Sequence, residues 1–343
     1  MRWRLPAAAA AAVWLAGSAM ADVSHTLLDW ADLRGWSSDD HETALSVFLV
    51  TCRDLKSDDW ERTCARAPES RGAARAFFER AFRPVLMSDG KPGLFTGYCE
   101  PELEGSPVRT DRFRHAIYRL PPEVQPGVQW HTRGEIETGR LLEGRGLEIA
   151  WLADPVEVFF LHVQGSGRVS LTDGRAIRVG FGGRNGHPYR SVGAELVRQG
   201  LFEPHRVSAQ VIKRWVRENP EQGAALLRHN PSFIFFREVS EVPPDRGPLG
   251  AMNRSVTAQR SVAVDPAVVP LGAPVWIETE GETPLRRLMV AQDTGSAVKG
   301  AQRADIFFGT GAEAGRVAGR MRDRGRLVVL LPAETAVRLA AGR

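Results

Sequence analysis

No block of like charge stands out in the sequence: the formal net charge is +4, and it drops to +2 without Arg2 and Arg4. That excludes the basic stripe of a nucleic-acid binder and leaves a weak attraction for anionic polymers. Histidine is thin. The eight residues are scattered and no two fall at ligand spacing, so neither a metal nor a cofactor is called for. The Gly165-Ser166-Gly167 turn has no following lysine or helix to make a phosphate loop. Nor has it the spacing of a nucleophile elbow that would pair Ser166 with His162 or His187. Signatures of disorder or of a fibre are missing too. With 343 residues, 43% apolar and 25% charged, the chain is an ordinary globular protein long enough for two cores.

The apolar run near the start, Ala7 to Ala16, is shorter than the roughly 20 residues of a membrane span. Arg2 and Arg4 precede it and Ala19-Met20-Ala21 follows, which is the pattern of a signal peptide over 1–21 cleaved after Ala21. Leu15-Ala16-Gly17-Ser18 has the form of a lipoprotein box with serine where the acylated cysteine must stand. Export to the periplasm without a lipid anchor is therefore expected. An oxidising compartment favours a bridge between Cys52 and Cys64, twelve apart, against the alternative of two buried thiols, and leaves Cys99 over. Apolar spacing over Glu42 to Leu55 and Ala73 to Phe82 predicts a helical pair with a structural role.

From residue 103 to 240 the chain reads as mostly β. Leu147 to Leu152 and Val156 to Val163 are expected strands, and Asp173-Gly174 turns a hairpin between Val169–Leu171 and Ala176–Val179. Helices are expected near Val207 to Asn219 and Glu221 to His229. Three stretches have the polar and aromatic character of ligand contacts. In Gly93 to Ser106, Tyr98 and Glu100 are expected at a cleft rim, with the alternative that Glu100 only pairs with an arginine. In Phe159 to Val169, Gln164, Gly165 and Ser166 line a polar cleft or make a plain tight turn. In Gly180 to Gly193, Asn185, His187 and Tyr189 form a glycine-rich loop.

The stretch Ala291 to Gly309 concentrates the chemistry. Leu288 to Ala291 and Ile306 to Phe308 read as strands, with Asp293 and Asp305 at the ends of the glycine-punctuated loop between them. Apolar neighbours strip water from Asp305 and favour its neutral form, which suits a proton donor. The alternative is that both aspartates satisfy local amides.

Taken in order, Thr96-Gly97-Tyr98 with Glu100-Pro101, His162 to Gly167, Asn185 to Ser191, Asn230-Pro231-Ser232, Phe235-Phe236-Arg237, Gly247 to Gly250 and the acids Asp265, Asp293 and Asp305 resemble the membrane-bound lytic transglycosylase A family, MltA, with its 3D (three-aspartate) domain over 255–332. The resemblance covers about residues 90 to 332. It implies a mainly β fold: a barwin-like double-psi β-barrel from 22–102 plus 241–343, with a second β-rich domain, 103–240, inserted and a few peripheral helices. It implies a monomer that binds peptidoglycan glycan strands between the two, and cell-wall synthesis or division proteins as partners. The family's acid falls on Asp305, while Asp293, Asp265 and Lys299 support the active-site loop. Thr96, Tyr98, Glu100, Gln164, Gly165, Ser166, Asn185, His187 and Tyr189 become substrate-binding candidates. Two positions depart from the family: Cys99 stands where a second tyrosine is common, and Ser18 replaces the lipobox cysteine.

The implied reaction cleaves the β-1,4 bond between N-acetylmuramic acid and N-acetylglucosamine and leaves a 1,6-anhydro sugar. A hydrolase on the same barrel would need a second acid, for which Asp293, Glu100 and Asp154 are candidates. A non-catalytic glycan-binding protein is the other alternative.

Overall fold

The computed structural model describes residues 23–342; the expected signal peptide and Ser18 lie outside the described residues. The fold is built on two sheets. The larger has nine strands in the order Ser24–Leu27, Phe82–Ser88, Gly325–Pro332, Pro274–Thr279, Arg286–Thr294, Ser261–Val264, Arg303–Thr310, Leu94–Glu100 and Arg322–Asp323, and curls into a nearly closed double-psi barrel. Its pairings are antiparallel except two: Ser261–Val264 runs parallel to Arg286–Thr294, and Arg303–Thr310 runs parallel to Leu94–Glu100. Parallel neighbours require long crossovers, and these bring distant parts of the chain side by side.

The central strands are apolar on both faces because both are covered. Val275, Trp276 and Ile277 are all fully buried, as are Val328, Val329 and Leu330. One cover is the helical layer His41–Cys52, Asp58–Arg66 and Ala74–Ala81, whose Phe48, Phe77 and Phe78 join the barrel core. It is pinned by polar contacts as well: buried Gln292 donates to the Val47 carbonyl, and Asp39 pairs with buried Arg260 at 2.7 Å. A disulfide joins Cys52 at the end of the first helix to Cys64 in the second, with Cα atoms 5.5 Å apart. Cys99 is a buried free thiol.

The second sheet has six strands, in the order His115–Tyr118, Glu148–Leu152, Glu102–Ser106, Gly167–Leu171, Ala176–Arg184 and Ile234–Glu238. Pro101 alone separates the barrel strand Leu94–Glu100 from its first strand. The expected hairpin at Asp173-Gly174 is present, and helices Ala209–Glu218 and Pro220–His229 stand where the apolar spacing puts them. Val156 to Val163, expected as a strand, is instead part of the helix Pro155–Gln164. A short apolar run fits either period, and its ends decide. Asp154 caps the Val156 amide, Pro155 occupies the first turn, and Gly165 closes the helix in the left-handed conformation at φ 76°.

Candidate active site

Four residues of the barrel fall in one row across adjacent strands. Asp293 and Asp305 are both Cα partners of Ala263, one on each side, and Thr96 is the partner of Asp305. Partners in register project from the same face, so both carboxylates and Thr96 stand together over the small Ala263 methyl. With strands about 4.8 Å apart, the two aspartate Cα atoms lie roughly 10 Å from each other. Tyr98, two residues beyond Thr96, shares that face.

Each aspartate has its own partner from Thr96-Gly97-Tyr98. The Thr96 hydroxyl donates to Asp305 Oδ1 at 2.6 Å and accepts from Arg303 Nη2 at 2.9 Å. The Tyr98 hydroxyl donates to Asp293 Oδ2 at 2.8 Å. Gly97 between them must be glycine, since a Cβ there would sit 2.8 Å from the Ala318 Cα and the Phe308 ring. Tyr98 itself is buried on Phe307, with Val256, Ala263 and Val298 around it.

The two carboxyl groups differ in how far they are committed. Asp293 Oδ1 accepts from the Ala251 and Thr294 amides at 2.9 and 2.8 Å, so with Tyr98 both of its oxygens are occupied. Burial outweighs those bonds and pushes it up to about 6, with the Asp305 charge adding to the rise. Burial likewise raises Asp305, while Thr96 and Arg303 oppose it. Asp305 Oδ2 has no hydrogen-bond partner among the described residues. Thr96 holds Oδ1 by donation, so a proton on Asp305 belongs on the free Oδ2.

Asp265 does different work. It is buried, and although burial alone would raise it, the Gly300 and Ala267 amides and Lys299 hold it below the usual carboxylate range. Its Oδ2 accepts from Gly300 at 2.9 Å and its Oδ1 faces Lys299 Nζ at 3.3 Å, which braces the loop leading to Asp305.

The remaining expected site residues divide. Gln164 reaches the row, its Oε1 accepting from the Cys99 amide at 2.9 Å beside Tyr98, with Gly165 and buried Ser166 directly after it. Buried His162 is engaged by Arg133 at 2.8 Å, so it is not poised on Ser166. Glu100 is not at a rim: it is fully buried, 3.0 Å from Arg168 Nε and 2.8 Å from Arg178 Nε, and it accepts from Thr310. A buried carboxylate needs such partners, and these two arginines lie 68 and 78 residues downstream. Asn185 is also fully buried, donating to the His131 and Pro231 carbonyls and accepting from the Phe233 amide. His187 bonds the Trp130 carbonyl at 2.7 Å, and burial pushes the Tyr189 phenol up. No hydrogen bond or ion pair among the described residues joins that loop to either aspartate of the row. Asp154 is a helix cap paired with Arg217.

Arg303 and Ala251 are the contacts the sequence reading missed. Arg303 had a signal, because two residues before Asp305 on a strand is the same face. The Ala251 amide had none beyond following Gly247 to Gly250.

Comparison with known proteins bears on the family and the fold. The family model for the MltA specific insert domain matches residues 94–237, and that for the 3D domain matches residues 260–331. The chain is 35% identical over 259 residues to the membrane-bound lytic murein transglycosylase A of Escherichia coli (strain K12), covering 72% of this chain and 68% of that protein. Among solved structures, a membrane-bound lytic murein transglycosylase from Agrobacterium tumefaciens is similar with a TM-score of 0.80 and 32% identity, covering 92% of this chain and 99% of the other. E. coli MltA with bound chitohexaose is similar with a TM-score of 0.75 and 28% identity, covering 90% and 95%.

Proposed function

The chain belongs to the MltA family of lytic murein transglycosylases, and from that membership we propose that it cleaves the β-1,4 bond between N-acetylmuramic acid and N-acetylglucosamine with Asp305 as single acid and base. The observation that carries this reading is the asymmetry of the row. Asp305 keeps one oxygen free, is raised by burial, and faces a partner acid whose oxygens are all engaged. A raised carboxyl with one unengaged oxygen suits a proton donor.

An ordinary glycosidase needs a second carboxylate to attack the sugar or to activate water. Here the 6-hydroxyl of the same muramic sugar attacks its own anomeric carbon. Nucleophile and electrophile are tethered, so much of the entropic barrier is already removed. Asp305 donates its proton to the glycosidic oxygen, the C1–O4 bond breaks, and the resulting carboxylate takes the 6-hydroxyl proton as the 1,6-anhydro bond closes. Asp293 braces Tyr98 and the loop around Ala251. The glycan runs between the barrel, 22–102 plus 241–343, and the inserted unit, 103–240; the bound chitohexaose of the E. coli relative supports glycan as the ligand.

The relatives are called membrane-bound, whereas Ser18 cannot take a lipid. Among the described residues no helix is long and apolar enough to cross a membrane. With the Cys52–Cys64 bridge favouring an oxidising compartment, we place the mature chain free in the periplasm.

The test is mass spectrometry of sugars released from purified peptidoglycan, with Asp305→Ala alongside. Products lighter by one water than hydrolysis products, and absent with the variant, are expected. Reducing ends would make the protein a hydrolase and turn attention to Asp293. Binding without products from either protein would make it a binding module.

A further inference from the structure

The inserted unit contains a cavity of about 690 Å³ that the reaction does not use, walled by its helices and by the strand His115–Tyr118. Helix Pro155–Gln164 sets its distance from the active row. Pro155, Val158 and Phe159 line the cavity, while Gln164 touches Cys99 beside Tyr98. These lining residues lie five to nine positions before Gln164, roughly 8–14 Å along the helix axis at 1.5 Å per residue.

The charge in this cavity is not balanced. Five arginines face three carboxylates. Three arginines are matched: Arg133 to Glu137 at 3.1 Å, Arg140 to Glu143 at 3.8 Å and Arg217 to Asp154 at 2.7 Å. Arg114 and Arg228 have no side-chain hydrogen bond or ion pair among the described residues. Arg133 adds a second sign of incomplete pairing. It is almost fully buried between the rings of Phe159 and Phe233, at 4.9 and 5.0 Å, and its Nε has no hydrogen-bond partner. His115 contributes no charge near neutrality, because burial and then Arg114 hold its imidazole below its ordinary value.

The rest of the lining sets the ligand's body. Ile136, Val158, Leu227 and Phe233 give an apolar floor. The Tyr118 hydroxyl makes no hydrogen bond among the described residues, and burial, helped by Glu148, pushes it up to about 12, so it remains a donor. An unpaired guanidinium suits a carboxylate, which arginine grips with two parallel bonds, and the cavity offers two, the exposed Arg114 and the half-buried Arg228. The three lining acids disfavour a polyanion, and the volume lies within the roughly 300–1,000 Å³ of sites for small organic ligands rather than lone ions. We infer that this cavity is a second binding site, for a short peptide with small apolar side chains and a free C-terminal carboxylate.

The test uses acetyl-Ala-Ala-Ala as free acid and as C-terminal amide, titrated calorimetrically into the whole purified protein, so that its outcome is independent of turnover. The acid is expected to bind, with the amide about tenfold weaker or worse. Arg114→Gln and Arg228→Gln should each weaken the acid by about tenfold at an unchanged unfolding midpoint. Arg133 is left alone because its burial makes it part of the fold. Equal binding of acid and amide, no binding of either, or indifference to both substitutions would each overturn the proposal. Peptide stems released from peptidoglycan by an amidase then identify the source: competition with the probe assigns the carboxylate to the cell wall, and its absence assigns it to another peptide.

Discussion

At the scale of residues, the buried Asp293 should make stability depend on pH. Asp293 is raised from 3.8 to about 6, so between those values the folded chain holds a proton that the unfolded chain has released. Its contribution is full below pH 4, shrinks as pH climbs to about 6, and is gone above. At about 1.4 kcal/mol per unit, this strains the neutral-pH fold by up to about 3 kcal/mol. Asp293→Asn keeps the shape, with its oxygen on the Ala251 and Thr294 amides and its nitrogen donating to Tyr98. In chemical unfolding the variant should gain on the parent as pH rises from 4.5 to 7.5; a constant difference would mean that Asp293 does not titrate in that range. Much of this site was legible in the sequence. Asp265, Asp293 and Asp305 stand out by motif, and Thr96 and Tyr98 stand near them by resemblance. Glu100 follows the alternative reading, pairing with arginines rather than standing at a rim, and Asn185 is buried; nothing local in the sequence marks the distant groups that bury them.

Elements were legible where their ends are chemically marked. Helix Pro220–His229 is announced by Asn219-Pro220, although the Asn219 side chain serves the preceding helix by donating to the Trp215 carbonyl. Val156 to Val163, expected as a strand, carries such marks as well in Asp154-Pro155 and Gly165, but its short apolar run by itself fits either period. The Cys52–Cys64 bridge joins helices His41–Cys52 and Asp58–Arg66, which cover the barrel through Phe48 and Trp60. Closing a loop of that length restricts the unfolded chain by about 3 kcal/mol on the chain-entropy account. Reduction, or Cys52→Ala with Cys64→Ala, should lower the unfolding midpoint by several degrees while the far-ultraviolet spectrum at 25 °C stays unchanged. An unaltered midpoint would show that the helices hold their pairing by Phe48, Phe77 and Trp60 alone.

For the whole molecule, periodicity alone could not reveal the order of nine barrel strands, because one parallel pairing joins Thr96 with Asp305, 209 residues on. Nor could it show how the two sheets are fixed to each other. Glu100 ends the strand that leaves the barrel, and Arg168 and Arg178 come from the second sheet. Arg178 also donates to the Arg246 and Pro243 carbonyls on the returning chain, at 2.6 and 3.3 Å. Thr310, at the end of the strand that carries Asp305, donates to the same carboxylate at 2.8 Å. Both crossings and the proposed catalytic strand thus meet at one buried anion. Glu100→Gln preserves volume but removes the charge and turns an amide donor toward guanidinium donors, and breaking such a pair costs about 3–5 kcal/mol. The variant should unfold at lower denaturant. In the folded protein it should raise KM for peptidoglycan more than it lowers kcat, because the groove loses its fixed width while Asp305 keeps Thr96. Glu100→Asp, which retains the charge, should recover part of both effects. A variant with normal stability and KM but collapsed kcat would instead put Glu100 in the chemistry, against its burial.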